Sequence, residues 1–149
     1  MAQASPTPGS DGTLQLTRTF AATRERVFRA FTRPEELKRW FGPADDYAVP
    51  LAEVDLRVGG RYAIEIRGPS GKVLRVGGVY REIRVPDRLV FTWQWEGNPR
   101  ETLVTIDLAD VGGKTELRLT HERFVDGSER DSHGTGWGGS FERLGRALA

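Results

Sequence analysis

From Thr13 the chain alternates: Leu14, Leu16 and Phe20 share one face, and Thr13, Gln15, Thr17 and Thr19 share the other. That period of two predicts a half-buried strand. Arg18 falls on the apolar face, where a buried guanidinium needs a carboxylate; Glu53 and Glu82 are the candidates, in a structural ion pair. The period then changes. Thr23 can cap a helix in which Val27, Phe28, Ala30 and Phe31 follow helical spacing. Pro34 breaks it and suits the first turn of a second short helix, whose buried side is Leu37, Trp40 and Phe41 and which Gly42-Pro43 ends.

The rest, to about residue 124, reads as strands. Tyr62, Ile64 and Ile66 alternate with Arg61, Glu65 and Arg67, after a less regular strand around Tyr47–Leu56. Val73–Val85 is a longer strand in which Gly77-Gly78 suggests a bulge. Leu89, Phe91, Trp93 and Trp95 form the inward set of the next, followed by Val104, Ile106 and Leu108, then Leu117, Leu119 and His121. Short turns between them argue for an antiparallel meander. The last segment returns to helical spacing, since Trp137, Phe141, Leu144 and Leu148 are four, three and four residues apart, and four residues back lies His133.

Within that segment GTGWGG (134–139) satisfies the letters of the dinucleotide fingerprint G-x-G-x-x-G. The fingerprint requires a preceding strand and an acidic residue about 20 positions on within a βαβ unit. Here polar DGSERDSH precedes it and ten residues follow it, so the match is fortuitous. GPSGK (68–72) fails as a phosphate loop, being too short. The glycines then need another reason, as each costs a helix interior roughly 1 kcal/mol relative to alanine. Either they bring the helix close to the sheet or to a bound molecule, or the helix starts only near Trp137.

Composition narrows the class. The 149 residues suggest one domain over 13–149 behind a disordered tail at 1–12 rich in Ser, Pro and Gly. No stretch approaches the ~20 apolar residues of a membrane span, and the start lacks a signal-peptide core. There is no cysteine, which excludes disulfide and thiolate chemistry and makes the cytoplasm the expected location. A net charge of +1, from 22 basic and 21 acidic side chains, argues against a nucleic-acid partner.

The order strand, two short helices, about six strands and a C-terminal helix, together with several words of sequence, resembles the START-like (SRPBCC) superfamily. The words are RTFAATRERVFRAFTRPEELKRWFGP (18–43), DLRVGGRY (55–62), GVYREIRVPDRLVFTW (78–93), TELRLTH (115–121) and GW (136–137), within a match running from about Leu14 to Leu148. Within that superfamily the chain is most similar to the family of the C-terminal domain of the heat-shock-protein-90 ATPase activator. The resemblance implies an α+β helix-grip fold: a curved antiparallel β-sheet wrapped around a long C-terminal helix, with an apolar cavity between them.

Independently of that resemblance, the inward strand faces carry Tyr62, Ile64, Trp93, Trp95, Ile106 and Leu117, and the helix stripe carries Trp137 and Phe141. Such a set suits a small-molecule pocket. The only two histidines, His121 and His133, are in phase with it. One reading is a pair that hydrogen-bonds a ligand or moves a proton. The other, which is preferred, makes His121 a core residue satisfied by backbone and His133 a solvent-facing loop residue. Trp93 and Trp95 point the same way from one strand, so two indole N–H groups there need partners. No metal set is expected, and Asp131, Ser132 and His133 are chain neighbours that do not make a triad.

The expected function is therefore binding of a small apolar or aromatic molecule, with no catalytic residue, cofactor or metal. The alternatives implied by the resemblance are a polyketide cyclase or aromatase, in which His121, His133 or Tyr62 shuttles protons, and a co-chaperone with a chaperone partner. An exposed sheet face also allows a homodimer.

Overall fold

The alternation at the start of the chain forms strand β1 (Thr13–Phe20), followed by helices α1 (Arg24–Thr32) and α2 (Pro34–Trp40). Strands β2 (Ala48–Val54), β3 (Arg61–Arg67), β4 (Val73–Arg84), β5 (Arg88–Trp95), β6 (Thr102–Val111) and β7 (Lys114–Glu122) come next, and the chain closes with helix α3 (Gly127–Leu148). This computed structural model describes residues 12–149; all but the last residue of the tail expected over 1–12 lies outside them.

All seven strands form one antiparallel sheet in the order β1-β7-β6-β5-β4-β3-β2, so the first strand returns to pair with the last. Register keeps the inward residues aligned: Leu14 faces His121, Leu16 faces Leu119, and Ile106 sits opposite both Leu89 and Leu119. The curved sheet wraps α3, which buries Trp137, Phe141 and Leu144, while α1 adds Val27, Phe28, Ala30 and Phe31 to the same core. Burying one such large apolar side chain contributes roughly 1.5–3 kcal/mol, which is why the period-two and period-3.6 patterns dictate the layers. The expected α+β helix-grip architecture is the one observed.

Four details differ from the sequence reading. Arg18 is in phase with the apolar face, its Cα opposite Leu117, yet its side chain is exposed and donates to the Thr17 carbonyl at 3.0 Å. Because β1 ends the sheet, the long side chain reaches water past the rim and needs no carboxylate. Glu82 is instead paired with Arg84 and Arg88. The uncertain second strand is shorter than Tyr47–Leu56, covering Ala48–Val54, with its register broken between Ala48 and Leu51.

In β4 the register shift falls between Tyr80 and Glu82 and not at Gly77-Gly78. A Cβ on Gly78 would lie 2.0 Å from the Thr92 carbonyl oxygen, so that glycine serves close strand approach. There the Tyr62 hydroxyl donates to the Thr92 carbonyl at 2.6 Å, and the Val79 N–H donates to the Thr92 hydroxyl at 2.8 Å.

Helix α3 begins at Gly127, well before Trp137 and even before His133. The polar run that opens it carries its own start signal. Asp126 Oδ1 accepts from the Glu129 N–H at 2.8 Å, and Glu129 Oε1 accepts from the Val125 N–H at 3.1 Å, a reciprocal cap built on Asp-x-x-Glu. Asp126 is exposed, so Asp126→Ala tests the cap without disturbing packing. The expected loss is about 1 kcal/mol in urea unfolding; unchanged stability would mean that the first turn is held by other contacts.

Candidate functional site

Pro43 meets the glycine-rich part of α3 at a distance no other residue type permits. A Cβ on Gly139 would fall 1.8 Å from the Pro43 carbonyl oxygen. One residue on, Ser140 Oγ donates to the Gly42 carbonyl at 2.8 Å and accepts the Gly42 N–H at 3.3 Å. Arg143 adds a bond to the Phe41 carbonyl at 3.1 Å. Gly42 itself has φ +126°, a backbone that favours glycine. The loop between α2 and β2 is thereby clamped to α3. Gly139 serves close approach, but to this loop and not to the sheet or a bound molecule as expected. A Cβ on Gly136 or Gly138 would meet nothing within 4 Å.

Beside this clamp a cleft of about 400 Å³ opens between the sheet and the first half of α3. Its wall is made by Phe41, Gly42, Pro43 and Tyr47 of the loop, Ile66 and Leu74 of the hairpin, and Trp93 and Trp95 of β5. Helix α3 supplies Ser132, His133, Thr135, Gly136, Trp137 and Ser140. No Asp, Glu, Lys or Arg lines it. A second, smaller space of about 20 Å³ is lined by Tyr62 and Ile64 among others; Phe41, Trp93 and Trp137 border both spaces.

The sequence candidates therefore divide by position. Trp93, Trp95, His133 and Trp137 come together in the cleft wall, and Tyr62 and Ile64 line the smaller space. Ile106, Leu117 and Phe141 are packed in the core and line neither space. His121 lies behind Trp137, fully buried. Cleft residues absent from the sequence candidates are Phe41, Gly42, Pro43, Tyr47, Ile66, Leu74, Ser132, Thr135, Gly136 and Ser140. For three of them the signal was the WFGP word, legible as a helix end but silent about where the loop lands.

The two histidines are held by side chains. Trp137 Nε1–H donates to His121 Nδ1 at 3.0 Å, so that nitrogen carries no proton. The proton then sits on Nε2, which donates to Thr102 Oγ1 at 2.7 Å, and the Thr102 hydroxyl donates in turn to the Trp93 carbonyl at 3.1 Å. In the same way Trp95 Nε1–H donates to His133 Nε2 at 3.0 Å, leaving His133 Nδ1–H to donate to the Glu129 carbonyl at 2.9 Å. Each imidazole accepts from an indole N–H. His121 is thus a core residue satisfied by side chains and not by backbone, and His133 is a helix residue and not a loop one.

The imidazole rings lie 5.2 Å apart, and Phe124 covers both at 4.3 and 4.7 Å. Burial, with a smaller contribution from His133, pushes the His121 pKa down to about 2. Burial likewise raises the phenols of Tyr62 and Tyr80 above their ordinary range, so both remain protonated.

Two buried side-chain donors are left over, Arg100 Nε away from the cleft and one in its wall. The indole N–H of Trp93 is buried and has no hydrogen-bond partner among the described residues. Leaving such a donor unpaired costs about 1–3 kcal/mol. Among the described residues no cluster of three or more His, Cys, Asp or Glu side chains is placed to hold a metal ion. No helix of the described residues is long and apolar enough to cross a membrane.

Comparison with known proteins agrees with the fold. The model of the family "Activator of Hsp90 ATPase homolog 1-like protein" matches residues 21–149. A crystal structure of a Chromobacterium violaceum protein is 30% identical with a TM-score of 0.85, covering 95% of this chain and 98% of its own. A Rhodobacter sphaeroides protein is 28% identical with a TM-score of 0.81, covering 95% of each chain. An AHSA1 protein from Silicibacter pomeroyi is 25% identical with a TM-score of 0.82, covering 91% of this chain and 96% of its own. No curated protein matches the chain.

Proposed function

The chain belongs to the Activator of Hsp90 ATPase homolog 1-like family, and from that premise we propose that it binds a small apolar or aromatic molecule in the cleft between sheet and α3. The observation that carries this reading is the wall itself: a space of about 400 Å³ bordered by five aromatic rings and no Asp, Glu, Lys or Arg. Ligand pockets of small molecules have this size and make-up.

The cyclase alternative asks for a group at the wall that exchanges a proton near neutrality. Tyr62 and His121 are shifted away from that range and stand outside the cleft. His133 is at the wall with both ring nitrogens already bonded. A chaperone partner rests on the family description alone.

Lipids, polyketides and quinones offered as a panel should include compounds that quench tryptophan emission and raise the melting temperature. At 100 times Kd the stabilisation is about 2.7 kcal/mol. Gly136 lies between His133 and Ser140 on the cleft face, and a Cβ there meets nothing within 4 Å. Gly136→Leu is therefore expected to fill the cleft and abolish binding while the protein stays folded. A panel without any response, or binding undiminished in Gly136→Leu, overturns the proposal.

A further inference from the structure

The same arrangement, an indole N–H donated to an imidazole, occurs twice. Trp137 donates to His121, and Trp95 donates to His133 Nε2 at 3.0 Å. The two pairs differ in their access to water. His121 is fully buried and its pKa is pushed down to about 2, so it stays neutral through the mildly acidic range. His133 and Trp95 are only half-buried, and both line the cleft.

His133 can serve as an acceptor only while it is neutral. Its Nδ1–H already donates to the Glu129 carbonyl at 2.9 Å, so an incoming proton must go to Nε2, the atom that receives the Trp95 N–H. An imidazolium has two donors and no acceptor, and an indole N–H cannot accept in return. Protonation and the Trp95 bond therefore exclude each other.

The charges around the ring are otherwise engaged. His121 of β7, 5.2 Å away ring to ring, is neutral. On α3 itself the Glu129 carboxylate is taken up by the Val125 N–H and by Arg100 of the β5–β6 segment, and Arg130 bonds Asp131. From β5 the ring meets Trp93 and Trp95, from the segment before α3 it meets Phe124, and β1 brings Leu14 against the neighbouring Gly134.

We infer that the Trp95–His133 bond is a proton-sensitive latch on the cleft, closed while His133 is neutral and opened when that ring takes a proton. Trp95 is the last residue of β5. Without the bond its ring is oriented by apolar contacts alone, among them the edge-to-face contact with Trp93 at 5.5 Å. The effect on a ligand rests on the binding reading above; the latch itself does not. A ligand that packs on Trp95 binds the neutral form better, so proton and ligand compete.

Imidazole is the side chain that changes charge between pH 5 and 8, which sets the interval for the test. N-phenyl-1-naphthylamine is a fluorescent probe of apolar sites that stays uncharged throughout it. Its affinity is expected to fall roughly 3- to 10-fold from pH 7.5 to 5.5. In His133→Gln the affinity should be flat over that interval, because an amide oxygen can accept from the indole without taking a proton. The Trp95 indole resonance, recognised as the one missing from Trp95→Phe, should move with pH in the native protein and stay in place in His133→Gln.

If either variant does not fold, the native protein still decides. It has two histidines, and the Trp95 indole resonance, identified by its proximity to the His133 ring, should share the midpoint of the titrating imidazole. A Trp95 resonance that stays in place while His133 titrates would overturn the latch, even with the probe bound. A resonance that moves while probe affinity stays constant would overturn its coupling to the cleft. Failure of the probe to bind at pH 7.5 would count against the binding reading, and the resonance alone would then judge the latch.

Discussion

Gly139→Ala is expected to destabilise the protein by roughly 2–4 kcal/mol, although glycine-to-alanine changes inside a helix ordinarily stabilise by about 1 kcal/mol. The sign reverses because the added Cβ would stand 1.8 Å from the Pro43 carbonyl oxygen and 2.8 Å from its carbon, both main-chain atoms that cannot rotate aside. Either α3 moves outward or the Phe41–Pro43 segment lifts off, and the Ser140–Gly42 bonds go with it. Since Phe41, Gly42 and Pro43 are cleft wall, ligand binding should fall in parallel. Gly138→Ala is the control: nothing lies within 4 Å of its Cβ, and it should gain up to about 1 kcal/mol. Thermal unfolding of the two variants side by side decides the matter; a Gly139→Ala protein at least as stable as the native one would contradict the close approach.

The second large effect is on pH dependence. His121 is neutral in the fold and its pKa is depressed from 6.5 to about 2, while in the unfolded chain it takes a proton below about pH 6.5. The unfolded state therefore binds more protons between those limits, and stability must fall as pH falls. The contribution is fully present above the unfolded value and is lost progressively down to about pH 2. The slope approaches 1.4 kcal/mol per pH unit, or roughly 2 kcal/mol between pH 6.5 and 4.5. His121→Gln carries no such proton, so its urea-derived stability should decline less steeply over that interval. Parallel curves for the native protein and His121→Gln would show that the imidazole does not contribute.

Strand phases and helix faces were legible because they are local. Leu117, Leu119 and His121 alternate, Trp137 and Phe141 recur at helical spacing, and each lands where its period points. What stayed hidden was geometry between elements distant in the chain. Ile106, Leu117 and Phe141 share the inward phase with Trp93, yet phase does not say which inward residues meet void and which meet each other. That depends on the landing point of Phe41–Pro43 on a helix about 100 residues later. The start of α3 is carried by a local signal of another kind, the Asp126–Glu129 pair, which apolar periodicity does not register because the residues between it and Trp137 are polar. Trp95 and His133 meet only through tertiary packing of β5 against α3, which no local pattern encodes.

Arg18 also bears on how copies of this protein behave toward one another. Its strand is one terminus of the ladder, and a cation on the inward side there penalises any foreign strand that tries to extend the ladder. At the opposite terminus Pro50 withholds an amide and the slip between Ala48 and Leu51 kinks the backbone away from a straight template. Ribbon growth and amyloid-like stacking are thus discouraged at both ends, and self-association by strand exchange is the assembly mode this architecture resists most.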